Sequence, residues 1–159
     1  MVYYMEYPSP VGMLLLACRE GALTGLWMDR QPEGGWVLRE DHPVLQQARG
    51  WLDTYFQGEV PVGGIPMSLE GTDFQKQVWQ ILLTIPYGET RTYGSIAKEL
   101  AERLGKERIS AQAVGGAVGR NPISILVPCH RVVGTDGKLT GYAGGLDKKE
   151  WLLKHEKAI

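Results

Sequence analysis

Hydrophobic periodicity changes once along this chain, and that change limits the fold more than any other feature. The first part alternates short apolar runs with turn signals: MVYYMEY, PSPVG, MLLLACR, EG and ALTGLWM. Runs of that length bounded by Pro and Gly read as β-strands joined by tight turns, a small antiparallel sheet. From Pro43 to Phe56, Val44, Leu45, Ala48, Leu52, Tyr55 and Phe56 recur at helical spacing, and Gly58 follows as a stop. VPVGGIPMSLEG then has little periodicity and much Pro and Gly, so it reads as a linker. Beyond it the period is helical. The reading is an α+β chain with an N-terminal α/β domain and linker over 1–70 and a mostly helical domain over 71–159.

In that second part Thr72 or Asp73 can cap a helix through FQKQVWQILLTI, stopped by Pro86. Thr92 caps TYGSIAKELAERL, with Gly105 as its C-terminal stop. Ser110 caps AQAVGGAVGR, which Asn121–Pro122 ends. ISILV reads as a short buried strand, KLTGYAGGL as a glycine-rich loop, and Asp147 as the cap of a last helix, KKEWLLKHEKA.

Bulk properties exclude several classes. With 43% hydrophobic and 22% charged residues the 159-residue chain is neither disordered nor fibrous. The longest strongly apolar run, MLLLA, is far short of the ~20 residues that cross a bilayer, and no signal peptide is expected. Cys18 and Cys129 are too few and too far apart for a disulfide framework, which fits a reducing cytoplasm. Residues 1–73 hold four basic and ten acidic residues, whereas 74–159 hold thirteen and eight. That asymmetry suits a second half facing an anion, although scattered surface charge explains it equally well.

Tyr93–Leu104 and Ser110–Arg120 have the layout of a helix-turn-helix, a rarer use of a helical hairpin. The second helix carries Gly115, Gly116 and Gly119. Each interior glycine costs ~1 kcal/mol relative to alanine. A helix so bare suits close approach by another backbone, of protein or of nucleic acid.

VPCHRVVG, residues 127–134, sets Cys129 beside His130. A structural cysteine needs no imidazole. A nucleophile does, because a thiol of pKa ~8.5 is only a few per cent ionised at neutral pH. Taken singly, Tyr93 fits a packing role, Tyr142 a loop, and His155 with Glu156 a solvated helix end.

The run AVGGAVGRNPISILVPCHRVVGTDGKLTGYAGGLDKKEWLLKHE, residues 113–156, resembles the catalytic core of the O6-alkylguanine-DNA alkyltransferases. The resemblance extends back through FQKQVWQILLTIPYGETRTYGSIA; the N-terminal half matches only in general pattern. It implies a ribonuclease H-like N-terminal domain and a winged helix-turn-helix, and it gives the scattered residues roles. Cys129 is the alkyl acceptor. His130 relays the thiol proton through an ordered water, and Glu156 orients His130. Tyr93 protonates the departing guanine, and Asn121 ties the recognition helix to the active-site loop. Carbonyls of Cys129 and Val132, with Ser124, Tyr142 and Ala143, line the base pocket. The recognition helix enters the minor groove and the base is flipped out, because guanine O6 is unreachable inside the stack. DNA contact is implied along Thr92, Gly94, Ser95, Ala111, Gln112, Ala113, Gly115 and Thr135. Lys106, Arg108 and Arg120 are candidates for phosphate.

The chemistry is an SN2 displacement. It needs a soft nucleophile, a proton for the leaving base and exclusion of water, with no cofactor or metal. The thioether product is stable, so each molecule acts once. A monomer acting on double-stranded DNA that carries O6-alkylguanine is expected.

Three features depart from the family pattern. Gln112 stands where arginine is usual. The segment between Tyr93 and Gln112 is about one helical turn longer than in mammalian members. Cys18 and His42 are the only N-terminal candidates for the zinc some members bind, and a structural site needs four ligands. Two other classes compete: a DNA-binding module without chemistry, which would not retain Cys129, and a cysteine hydrolase, whose histidine is usually distant in sequence.

Overall fold

A computed structural model describes residues 1–142 and 144–159 of the chain. It divides into two compact units, Met1–Glu70 and Gly71–Ile159. No helix among the described residues is long and apolar enough to cross a membrane.

In the first unit, β1 (Tyr3–Ser9) and β2 (Gly12–Cys18) form an antiparallel hairpin in register from Tyr3↔Cys18 to Ser9↔Gly12. Its turn needs Gly12, whose φ is +101°, and Ser9 Oγ accepts from Val11 N at 3.2 Å. β3 (Leu23–Met28) pairs antiparallel with β2. The continuous apolar run Leu14–Cys18 becomes the buried centre of the sheet, with every residue from Leu14 to Cys18 at 1% exposure or less. α1 (Pro43–Phe56) packs on β1, β2 and β3 through its stripe, with His42 Nδ1 accepting from Val44 N as N-cap.

The sheet is mixed, with order β3-β2-β1-β4. β4 (Val37–Leu38) lies parallel to β1 at an edge, which corrects the wholly antiparallel expectation. Two exposed residues in a Pro- and Gly-rich stretch carry no alternation to read.

In the second unit, α2 (Asp73–Leu82) opens with a reciprocal capping box between Thr72 and Gln75. It ends before Pro86, because Thr84 N and Ile85 N turn back to Ile81 O and Leu82 O. β5 (Arg91–Thr92) leads into α3 (Tyr93–Leu104), capped by Thr92 Oγ1 and closed by Gly105 at φ +66°. α4 (Ala111–Gly119) is capped by Ser110. Trp79 Nε1 donates to Ala117 O at 2.9 Å and locks α2 to α4.

The ISILV segment is not a strand. It is a buried turn in which Val127 N donates to Ile123 O and Ile125 sits at φ +70°. A β-branched residue in the left-handed region is strained, and the strain falls just ahead of Pro128–Cys129. β6 (Val132–Val133) pairs parallel with β5, Arg91 opposite Val132. α5 (Leu146–His155) begins at Gly145, with no side-chain cap; Asp147 lies within the first turn, contrary to its expected capping place.

Candidate active site

Cys129, His130 and Arg131 form one 3-10 turn after Pro128, all buried. Asn121 steadies the approach to it. Its Nδ2 donates to Val127 O at 2.8 Å, and its Oδ1 accepts from Ile123 N at 3.0 Å. The residue that stops α4 thus also holds the turn that delivers Cys129.

Glu156, just past α5, gathers the donors behind the cysteine. His130 Nε2 lies 2.6 Å from its Oε2. Arg131 Nε donates to Oε1 at 2.8 Å and Nη2 to Oε2 at 3.2 Å, while Nη1 holds Ile85 O at 2.7 Å. Gly88 N adds a donor at 3.2 Å. Opposite an ionised carboxylate, a neutral imidazole must donate from Nε2. That leaves Nδ1 as a base, and it has no hydrogen-bond partner among the described residues. Burial pushes the imidazole below its ordinary value, more than Glu156 pulls it up. Burial also raises the Cys129 thiol, which Asn121 and Lys149 only partly offset. The resting pair is therefore thiol and neutral imidazole. Histidine does not hold a standing thiolate here; it is placed to take the proton as the sulfur attacks.

Cys129 opens on a cavity of about 180 Å³. One wall is α4, through Gly115, Val118 and Gly119; Asn121, Ser124, Gly141, Tyr142 and Tyr93 complete it. A Cβ on Gly115 would sit 3.8 Å from the Tyr93 ring, so a larger side chain there would press on the tyrosine. Tyr93 OH donates to Thr140 O at 3.1 Å. Lys149 Nζ donates to Thr140 O at 2.8 Å and Gly141 O at 3.2 Å and reaches Tyr93 OH at 3.5 Å. Lys149 is wholly buried, and burial pushes its ammonium down to about 8.

Most of the residues expected at the pocket meet at this cavity. Val132 is an exception: it is buried in β6 and absent from the lining. Ala143 lies outside the described residues. Two functional groups escaped the sequence reading. Arg131 stood beside His130 in plain view. Lys149 had a signal too, since Lys149, Leu152, Leu153 and Glu156 share the spacing of one helical face and all are buried.

The expected DNA-contact residues lie around α3 and α4. Gly94, Ser95, Lys106, Arg108, Ala111, Gln112, Ala113, Arg120 and Thr135 are exposed, and Thr92 and Gly115 partly so. Of the former zinc candidates, His42 caps α1 and lies 5.1 Å from the Tyr3 ring, tilted by 30°, and Cys18 is fully buried in β2.

Comparison with known proteins follows the same division. Residues 2–69 match the family described as 6-O-methylguanine DNA methyltransferase, ribonuclease-like domain, and 73–158 match 6-O-methylguanine DNA methyltransferase, DNA binding domain. A methylated-DNA–protein-cysteine methyltransferase of Methanosarcina acetivorans is 48% identical over 98% of this chain and 98% of its own. That of Haemophilus influenzae is 45% identical over 98% of this chain and 87% of its own. The crystal structure of Mycobacterium tuberculosis OGT in complex with DNA superposes with a TM-score of 0.85 at 46% identity, covering 98% of this chain and 93% of that one.

Proposed function

The chain belongs to the 6-O-methylguanine DNA methyltransferase family, and from that premise we propose that it repairs DNA by moving the alkyl group of O6-alkylguanine irreversibly onto Cys129. The substrate is double-stranded DNA, met by one copy of the chain. α4 enters the minor groove, where its glycines allow close approach, and the target base turns out of the stack into the cavity beside Cys129.

The reaction runs on side chains alone. His130 Nδ1 takes the thiol proton as Sγ attacks the alkyl carbon. Glu156 and Arg131 hold the ring in the tautomer that makes this possible. The C–O6 bond breaks and guanine leaves with the bonding pair. Tyr93 supplies the proton it needs, and Lys149, donating to the same oxygen, restores that proton. Asn121 holds the cysteine turn. The thioether has no nucleophile beside it to release the alkyl group, so each molecule reacts once.

One observation carries this reading: Cys129 opens on a cavity while its neighbour His130 is fixed through Nε2 and left basic at Nδ1. Incubation with O6-benzylguanine followed by intact and peptide mass measurement tests it. One benzyl group on Cys129 is expected. Labelling at Cys18, or no labelling, would leave a DNA-binding module or a hydrolase.

A further inference from the structure

We propose that the Tyr142 hydroxyl is a hydrogen-bond donor that holds the Cys129 sulfur while it carries negative charge. This role deepens the reading of Cys129 as alkyl acceptor and rests on it.

Tyr142 and Cys129 line the same cavity. The Tyr142 oxygen is fully shielded from solvent, yet it has no hydrogen-bond partner among the described residues. A buried hydroxyl without a partner is unfavourable, so one on a residue that shares a cavity with a reacting atom is a candidate for use during the reaction. A thiol is a weak acceptor and does not draw the phenol in. A thiolate is a strong, charged one, and hydrogen bonds to ionised groups are the short and strong kind.

The other donors around the sulfur are partly committed, so Tyr142 acts beside them and not in their place. Tyr93, the second phenol of the lining, donates its hydrogen bond to Thr140 O. Asn121 Nδ2 spends one hydrogen on Val127 O and still lowers the thiol more than Tyr142 does, and Lys149 is divided among two carbonyls and Tyr93. His130 Nδ1 has to accept before it can donate. The titrations of Tyr142 and Cys129 also sense one another. After burial, charge on Cys129 is the next cause that raises the phenol, with Ser124 opposing it, while Tyr142 is the last of the groups that lower the thiol. Burial holds the phenol well above its ordinary value, so it stays a donor at any working pH.

Tyr142 takes part in no bond change. The thiol proton goes to His130 Nδ1, the sulfur lone pair forms the S–C bond, and the C–O6 pair leaves with guanine. When the sulfur becomes a thioether it loses its charge, and the hydrogen bond from Tyr142 fades with it. The hydroxyl thus favours the attacking state over both reactant and product.

Tyr142→Phe removes only the hydroxyl. The rate of Cys129 modification is followed against pH with O6-benzylguanine and, separately, with iodoacetamide, which brings no guanine. Labelling is assigned to Cys129 by peptide mass, and folding is checked by circular dichroism. The thiolate limb should move up by about one pH unit with both reagents, a three- to tenfold loss near neutral pH that is regained at high pH. Fluorotyrosine at position 142, a stronger donor that keeps the ring, should move the limb down; it tests the proposal even if the Phe variant folds poorly. An unmoved limb overturns the proposal. So does a shift seen with O6-benzylguanine alone, which would mean that the hydroxyl serves the base. If the parent protein takes up iodoacetamide at Cys129 but never benzyl, the alkyl-transfer reading fails instead, and the iodoacetamide limbs still decide the role of Tyr142.

Discussion

Glu156 is the residue on which the site turns, because His130, Arg131 and Gly88 all donate to its buried carboxylate. Removing one partner of a buried ion pair strands the other charge, which costs about 3–5 kcal/mol. Arg131→Leu should therefore lower stability by that order in denaturant titration. It should also raise the His130 pKa, since the guanidinium helps hold it down. In the parent protein, burial keeps His130 neutral below the ~6.5 of a free histidine, so the acid limb of alkyl uptake should lie under pH ~6.5. In Arg131→Leu it should move up; a limb at or above 6.5 in the parent would contradict a neutral buried base. Lys149 gives a second pH signature. Its ammonium falls from 10.5 to about 8 on folding, so between those values the unfolded chain binds more protons. Stability should rise with pH across that window, by up to about 3 kcal/mol, and is lost again as pH falls through 8. Lys149→Met should flatten the rise in denaturant midpoint. At this scale Cys129–His130 was legible because adjacency in sequence is adjacency in space. Arg131 and Lys149 were not singled out, because a charged side chain reads as solvated until its helix face is seen to be buried.

α4 shows how an element can be shaped against its own stability. Ser110 caps it and Val114, Ala117 and Val118 bury one side, but Gly116 on the exposed side meets nothing within 4 Å of an added Cβ. Gly116→Ala should thus stabilise the protein by about 0.5–1 kcal/mol through helix propensity. The added methyl should slow reaction with O6-alkylguanine in duplex DNA and leave O6-benzylguanine as free base nearly untouched. A stabilised variant that repairs duplex at the parent rate would mean that the glycines serve something other than approach to DNA. Elements with caps and stripes were legible: α1, α3 and α4 have the bounds their caps and apolar faces suggest. Those governed by tertiary context were not. The apolar content of residues 123–127 suggested a strand, yet Asn121 and a left-handed Ile125 fold it into a turn. β5 and β6 have two residues each and exist only by pairing with one another, which leaves no local pattern.

Over the whole molecule, charge is divided as the two units are. Met1–Glu70 holds four basic and nine acidic residues, whereas Gly71–Ile159 holds thirteen and nine. An overall charge of −1 conceals this, and only the distribution along the sequence makes an anionic partner legible. Affinity for duplex DNA should fall as salt rises, through release of counterions from phosphates met by some of Lys106, Arg108 and Arg120. Sequence preference should be weak, since the minor groove offers a degenerate code. Gln112 decides how far this electrostatic term extends. It is exposed in the first turn of α4, after the Ser110 cap. Arginine there would add a planar cation able to stack and to contact phosphate. Glutamine keeps a planar amide and two donors, enough to fill the gap left by a flipped guanine, but brings no charge. Gln112→Arg should therefore tighten duplex binding and steepen the salt dependence by about one phosphate contact, measured as the slope of log affinity against log salt. Gln112→Ala should slow repair in duplex DNA and spare the free base, which needs no flipping. Equal loss on both substrates would show that Gln112 supports the cavity or the fold, and that α4 does not use it as a wedge.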